Sequence, residues 1–97
     1  MENVKISITI KKNSINREKY ASILDELSAS IDKVAQDLND AKTLDEVNGI
    51  AEYLNELAKK SSDVFEEIQN AVLDAENRSD LINRCKVLRT TIVQMML

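Results

Sequence analysis

Several residue types that usually interrupt helices are rare or missing in this chain of 97 residues. Proline is absent and Gly49 is the only glycine, so the usual markers of turns and loops are almost lacking. Tryptophan is also absent, and the aromatic residues are limited to Tyr20, Tyr53 and Phe65. A chain with so few helix breakers is typical of long helices, and we predict a mainly all-α fold.

Residues that carry metal or nucleophilic chemistry are equally scarce. Histidine is absent and Cys85 is the only cysteine, which excludes a disulfide within one chain and a Cys/His zinc site. Cys85 falls in the core register of the third predicted helix, as an inert buried thiol would. Acidic pairs at helical spacing are typical of a solvated surface. We therefore expect no enzyme activity, no catalytic residue, no metal and no cofactor.

Long apolar runs are missing as well. No segment is apolar over the length of a signal peptide or over the roughly 18 residues that a membrane-spanning helix needs. A single unpaired thiol is typical of a reducing compartment. From these features we expect a cytoplasmic protein with no membrane segment.

Charge is unevenly distributed around a net value of −4. Residues 1–20 carry five lysines or arginines and two glutamates, whereas residues 21–80 carry fifteen acidic and five basic side chains. Residues 81–97 carry three basic side chains and no acidic one. The acidic middle opposes general affinity for nucleic acid, and the basic N-terminal part leaves a local contact with phosphate open.

The stretch VKISITIKK, residues 4–12, alternates apolar and polar side chains in the pattern of a half-buried β-strand. No other segment alternates over a comparable length, so this strand lacks a partner within the chain. We expect a strand or arm over residues 1–13 that pairs with its equivalent in a second copy, forming a homodimer. Addition to a sheet edge of another protein and an extended arm are the alternatives.

Heptad spacing predicts the first helix. Apolar residues recur at steps of four and three from Tyr20 to Ala41, which indicates a helix over residues 14–41. The stretch Thr43-Leu44-Asp45-Glu46 has the form of a capping box and starts the next helix.

The second helix is predicted over residues 43–77, with a bend near residue 61 as an alternative to a straight course. A change of register near Asn77 predicts a third helix over residues 79–96. Together these patterns predict a single domain over residues 1–97, an antiparallel bundle or coiled coil of three long helices preceded by the short β-strand.

The last residues, TIVQMML, carry more apolar side chains than one helix face can bury. Methionine suits irregular contact surfaces, so this segment also favours an interface. The predicted dimer or partner interface comprises Val4, Ile6, Ile8, Ile10, Ile92, Met95, Met96 and Leu97.

A short alternating strand followed by a helix, with the strands paired across a dimer, resembles the ribbon-helix-helix DNA-binding proteins. The resemblance covers only the N-terminal part of the chain, and it implies that outward-facing strand residues enter the major groove. This chain departs from the family in its longer first helix and in lacking a glycine turn between the helices. The nucleic-acid contacts implied are Lys5, Ser7, Thr9, Lys11 and Lys12.

The function that these features favour is a small protein-binding module of the kind that bacteria and phages encode: an adaptor, regulator or inhibitor. Its expected partners are a second copy of itself and an unidentified protein. The alternatives are a DNA-binding regulator that uses the ribbon-like strand, and an acidic inhibitor that mimics the charge of DNA.

Overall fold

The computed structural model describes residues 2–97 and consists of three α-helices packed against one another. Helix α1 spans Glu2–Asp40, α2 spans Leu44–Asn70 and α3 spans Ala75–Met96. The molecule is a rod of 63 × 17 × 16 Å. The predicted bundle of three helices is confirmed. Within residues 2–97, no helix is both long and apolar enough to cross a membrane.

Residues 4–12 are helical, so the predicted N-terminal strand is wrong. They belong to α1, which runs without a break for 39 residues. In a single chain a strand here would leave its backbone groups unpaired, whereas a helix pairs them internally. No proline or glycine separates these residues from the packed part of α1, so the helix continues through them. Strand pairing across a dimer therefore has no basis within residues 2–97, and residue 1 of the predicted arm lies outside the described residues.

The core follows the heptad stripes. Tyr20 and Leu24 of α1 are buried as their spacing predicts, and α2 continues without a break through Ser61. The Ser61 hydroxyl donates to the carbonyl oxygen of Ala58 at 2.9 Å, which satisfies this buried polar group within its own helix. The buried apolar residues are Tyr20, Leu24, Leu27, Ile31, Val34, Leu54, Leu57, Val64, Ile68, Leu73, Leu81, Cys85 and Ile92.

The two connections between helices differ in how well the sequence predicts them. At the first, the predicted cap is present but the box is shifted: the Thr43 hydroxyl accepts from the backbone N–H of Glu46 at 3.2 Å, and the Glu46 carboxylate accepts from the N–H of Lys42 at 2.8 Å instead of that of Thr43. At the second, α2 ends at Asn70 and α3 begins at Ala75, both earlier than predicted. Asp74 provides the cap, because its carboxylate accepts from the N–H of Asn77 at 2.7 Å.

Two asparagines of α1 hold the second connection in place. The Asn13 side chain accepts from the backbone N–H of Asp74 at 2.8 Å and donates to the Asp74 carboxylate at 3.0 Å. The Asn16 side chain, which is buried, donates to the carbonyl oxygen of Val72 at 3.1 Å. The connection is thus fixed beside these residues, and residues 2–12 of α1 extend past it. At about 1.5 Å per residue this projecting segment is about 16 Å long.

Candidate protein-interaction surface

Every residue of the projecting segment (residues 2–12) is exposed. Its four aliphatic side chains, Val4, Ile6, Ile8 and Ile10, are between 57% and 62% exposed. None of them belongs to the core or packs against it. A row of large apolar side chains without a partner in its own chain marks a surface that another molecule can cover.

The helical conformation divides these four side chains between two faces. Residues in a helix are rotated by about 100° per position, so Val4 and Ile8 lie on one face and Ile6 and Ile10 on the opposite face. Alternation with a period of two would place all four on one face of a strand, but it cannot do so in a helix. The segment therefore offers two apolar surfaces of two side chains each.

The two faces have different directions relative to the bundle. A spacing of 18 residues corresponds to about five full turns, so residues at that spacing lie in line along the helix. Ile6 is in line with Leu24, which is buried in the core, whereas Ile8 is in line with Glu26, which is exposed. The Ile6 and Ile10 face thus continues the side of α1 that faces the bundle, and the Val4 and Ile8 face continues an outer side.

The predicted nucleic-acid contacts also lie on the projecting segment, and all five are exposed. Lys5 and Lys12 share one side of the helix, whereas Ser7 and Lys11 share another. The Thr9 hydroxyl donates to the carbonyl oxygen of Lys5 at 2.8 Å, within the helix itself. These side chains are distributed around the helix, so they do not form the single reading face that a strand would present.

The predicted C-terminal interface residues lie at the other end of the rod. Ile92 is only 1% exposed and belongs to the core, and Met95 is partly buried against it. Met96 and Leu97 are exposed, and Met96 borders a groove of about 250 Å³ whose lining includes Leu38. The exposed members of the predicted interface thus lie at the two ends of the rod and do not come together, and Ile92 belongs to the core.

Two neighbouring concave surfaces lie between α1 and α2, and together we call them the α1–α2 groove. Its first part, of about 320 Å³, is lined by apolar residues that include Ile23, Leu27 and Tyr53. Its second part, of about 400 Å³, lies towards the connection between the two helices and includes Gly49 and Ile50. A side-chain carbon added at Gly49 would meet nothing within 4 Å, so this part of the groove is open.

The α1–α2 groove is acidic along its rim. Glu26 and Asp63 border its first part together with Lys60. Asp37, Asp40 and Glu46 border its second part, where no basic residue is present in the lining. The groove therefore combines an apolar floor with five carboxylates and one ammonium group.

The cysteine within residues 2–97 lies inside the bundle. The Cys85 thiol is fully buried and donates to the carbonyl oxygen of Ser61 at 3.4 Å. Burial raises the pKa of this thiol, and the nearby positive charge of Arg89 opposes that rise. The thiol is therefore protonated near neutral pH. Across residues 2–97, no three His, Cys, Asp or Glu side chains are grouped as a metal site would require.

Sequence signals for the α1–α2 groove and the asparagine anchors are weak but identifiable. Asn13 and Asn16 continue the heptad series of Tyr20 backwards, so two polar residues occupy core positions. Ile23 widens the apolar stripe of α1 towards the groove.

Comparison of the chain with protein-family models, curated proteins and solved structures found no match.

Proposed function

We propose that this protein is a non-enzymatic protein-binding module, an adaptor or regulator, that binds other protein chains through its projecting segment. The observation that supports this most is the exposure of Val4, Ile6, Ile8 and Ile10 on a segment of α1 that takes no part in the core. Aliphatic side chains held away from the core contribute nothing to its packing, so their value lies in an intermolecular contact.

The energetics favour a protein partner. Burying one valine or isoleucine side chain fully contributes about 1.5–3 kcal/mol, so two on one face offer several kcal/mol against the cost of association. Paired apolar residues at a spacing of four are the usual anchors of a helix that lies in a groove. The projecting segment thus has the form of a helical binding element.

A DNA-binding function receives less support from the same segment. The ribbon-like interpretation required paired strands, and residues 4–12 are helical. Lys5, Lys11 and Lys12 do not share one face, and fifteen acidic side chains in residues 21–80 repel phosphate. Aliphatic side chains are also the wrong chemistry for a phosphate backbone, whereas they suit an apolar protein surface.

Site-specific photo-crosslinking in the protein's native cells tests the proposal. A benzophenone amino acid at Ile10 should give adducts with other proteins after irradiation, because this position lies on an exposed apolar face. The matched control places the same group at Lys59, which is exposed in the middle of α2. Absence of adducts at Ile10, or the same adducts at both positions, would contradict the proposal.

A further inference from the structure

The projecting segment and the α1–α2 groove lie on the same side of α1, with the segment at one end of the rod and the groove extending from the middle towards the other end. Three residues of the segment are each in line, about five turns apart, with a residue that lines the groove. These pairs are Lys5 with Ile23, Ile8 with Glu26, and Lys12 with Ser30. An antiparallel neighbour that faces this side would therefore bring its segment over the groove.

We propose that two copies of the chain pair side by side and antiparallel, each placing its projecting segment in the α1–α2 groove of the other. The inference rests on the proposed function, because it treats the projecting segment as a binding element. It adds that one face of this segment binds the groove of a second copy. A two-fold axis perpendicular to the rods relates the two contacts, so both form at once and no binding end is left open.

The segment is shorter than the groove and fits within its length. The segment is about 16 Å long, and the α1 side of the groove, from Ile23 to Asp40, extends over about 26 Å. A segment cannot occupy the groove of its own chain, because α1 continues straight and carries residues 2–12 away from the bundle. A segment that occupies a groove must therefore come from another copy of the chain.

Charge complementarity is the main argument for this pairing. The projecting segment carries three lysines and one glutamate, and Lys5 and Lys12 lie on the side that faces the neighbour. The groove that receives them is bordered by five carboxylates, including Asp37 and Asp40, and one lysine. Pairing two segments with each other would instead bring lysines together, which is unfavourable.

Apolar complementarity acts in the same direction. Val4 and Ile8 are spaced by one helical turn and face the groove of the neighbour, whose floor includes Leu27 and Tyr53. The open space at Gly49 allows a helix to approach closely. Ile6 and Ile10 point away from this contact and stay available to a different protein.

The first test measures molar mass by sedimentation equilibrium over about 5–500 µM protein at low salt, a range suited to interfaces of modest size. We expect a rise from the chain mass of 10.9 kDa towards twice that value. Val4→Gln with Ile8→Gln should weaken dimerisation about tenfold or more, since it removes both anchors. The matched variant, Ile6→Gln with Ile10→Gln, should dimerise within about twofold of the native chain, because it alters the opposite face.

Charge exchange provides the second test. Lys5→Glu with Lys12→Glu, and separately Asp37→Lys with Asp40→Lys, should each weaken the dimer, because each places like charges together. A mixture of the two variants should restore it as a heterodimer, since each exchanged pair of residues then meets side chains of opposite charge. Lys59→Glu with Lys86→Glu makes the same change in net charge as the variant of Lys5 and Lys12, on exposed positions outside the groove, and should have little effect.

A protein that stays at 10.9 kDa throughout the concentration range would overturn the inference. A dimer that survives the change of Val4 and Ile8, or one that charge exchange fails to restore, would overturn it too. These outcomes are separate from the crosslinking result. Foreign adducts at Ile10 on a monomeric protein would support the binding function and reject this pairing.

Discussion

At the scale of single residues, the polar groups inside the bundle decide where its parts meet. Asn16 is 5% exposed, and its side-chain amide donates a hydrogen bond to the carbonyl oxygen of Val72. Arg78 donates to the carbonyl oxygen of Ala71 at 2.8 Å, on the other side of the same connection. A buried polar group left without a partner costs free energy, so these bonds restrict the connection to one position. That restriction is what leaves residues 2–12 beyond the bundle.

The buried thiol of Cys85 predicts a pH dependence of stability. Folding raises the pKa of this acid above its unfolded value, near 9.0, because burial disfavours the thiolate. Its contribution to stability is therefore complete below that value and is lost as the pH rises towards the folded pKa. In urea unfolding between about pH 8 and 10, the native chain should lose more stability than Cys85→Ala. Equal losses in the two proteins would contradict a buried, protonated thiol.

At the scale of helices, the heptad pattern predicts the packed parts well. The spacing from Tyr20 onwards places Leu24, Leu27 and Ile31 in the core, where the structure has them. It does so because burial of an apolar stripe determines which face of a helix is turned towards the core of a bundle. None of residues 4–12 is buried, so their alternating apolar pattern does not reflect packing against a core. Their helical conformation follows from continuity with the rest of α1.

Helix boundaries depended on contacts between distant residues. Ala71 and Ala75 continue the apolar spacing of α2 beyond Asn70, where the helix ends. Periodicity alone therefore predicts a C-terminal boundary that is too late. What ends α2 is the set of bonds from Asn13 and Asn16 of α1, far away in the sequence. The α1–α2 groove is likewise formed by two helices together, and neither helix pattern reveals it alone.

Thr43 caps α2 and Asp74 caps α3, and replacing these two residues should lower the free energy of unfolding by different amounts. Thr43→Ala removes one hydrogen bond to the start of α2 and should lower the free energy of unfolding by about 1 kcal/mol. Asp74→Ala should cost about 2 kcal/mol, because Asp74 caps α3 and also binds the side chain of Asn13. The control Asp45→Ala alters an exposed acid in the first turn of α2 and should cost only a few tenths of a kcal/mol. Urea denaturation of the three variants measures the order, and a larger loss for Thr43→Ala than for Asp74→Ala would contradict the structure.

At the scale of the whole molecule, the unequal lengths of the helices shape the surface. Helix α1 has 39 residues, whereas α2 has 27 and α3 has 22, so the shorter helices cannot cover the longer one. The uncovered end is basic and apolar, and the side of the rod near the other end is acidic and concave. In the pairing that we propose, this distribution serves a second copy on one side and leaves one apolar face for another protein.

The central claim is that residues 2–12 serve binding and not folding. The most direct measurement compares the free energy of unfolding of the full chain with that of a chain lacking residues 2–10. Dilute protein at high salt removes any contribution from association. We predict a difference within about 0.5 kcal/mol, because the deleted residues pack against nothing in the core. A loss of about 2 kcal/mol or more would contradict the claim, since it would mean that these side chains stabilise the folded monomer.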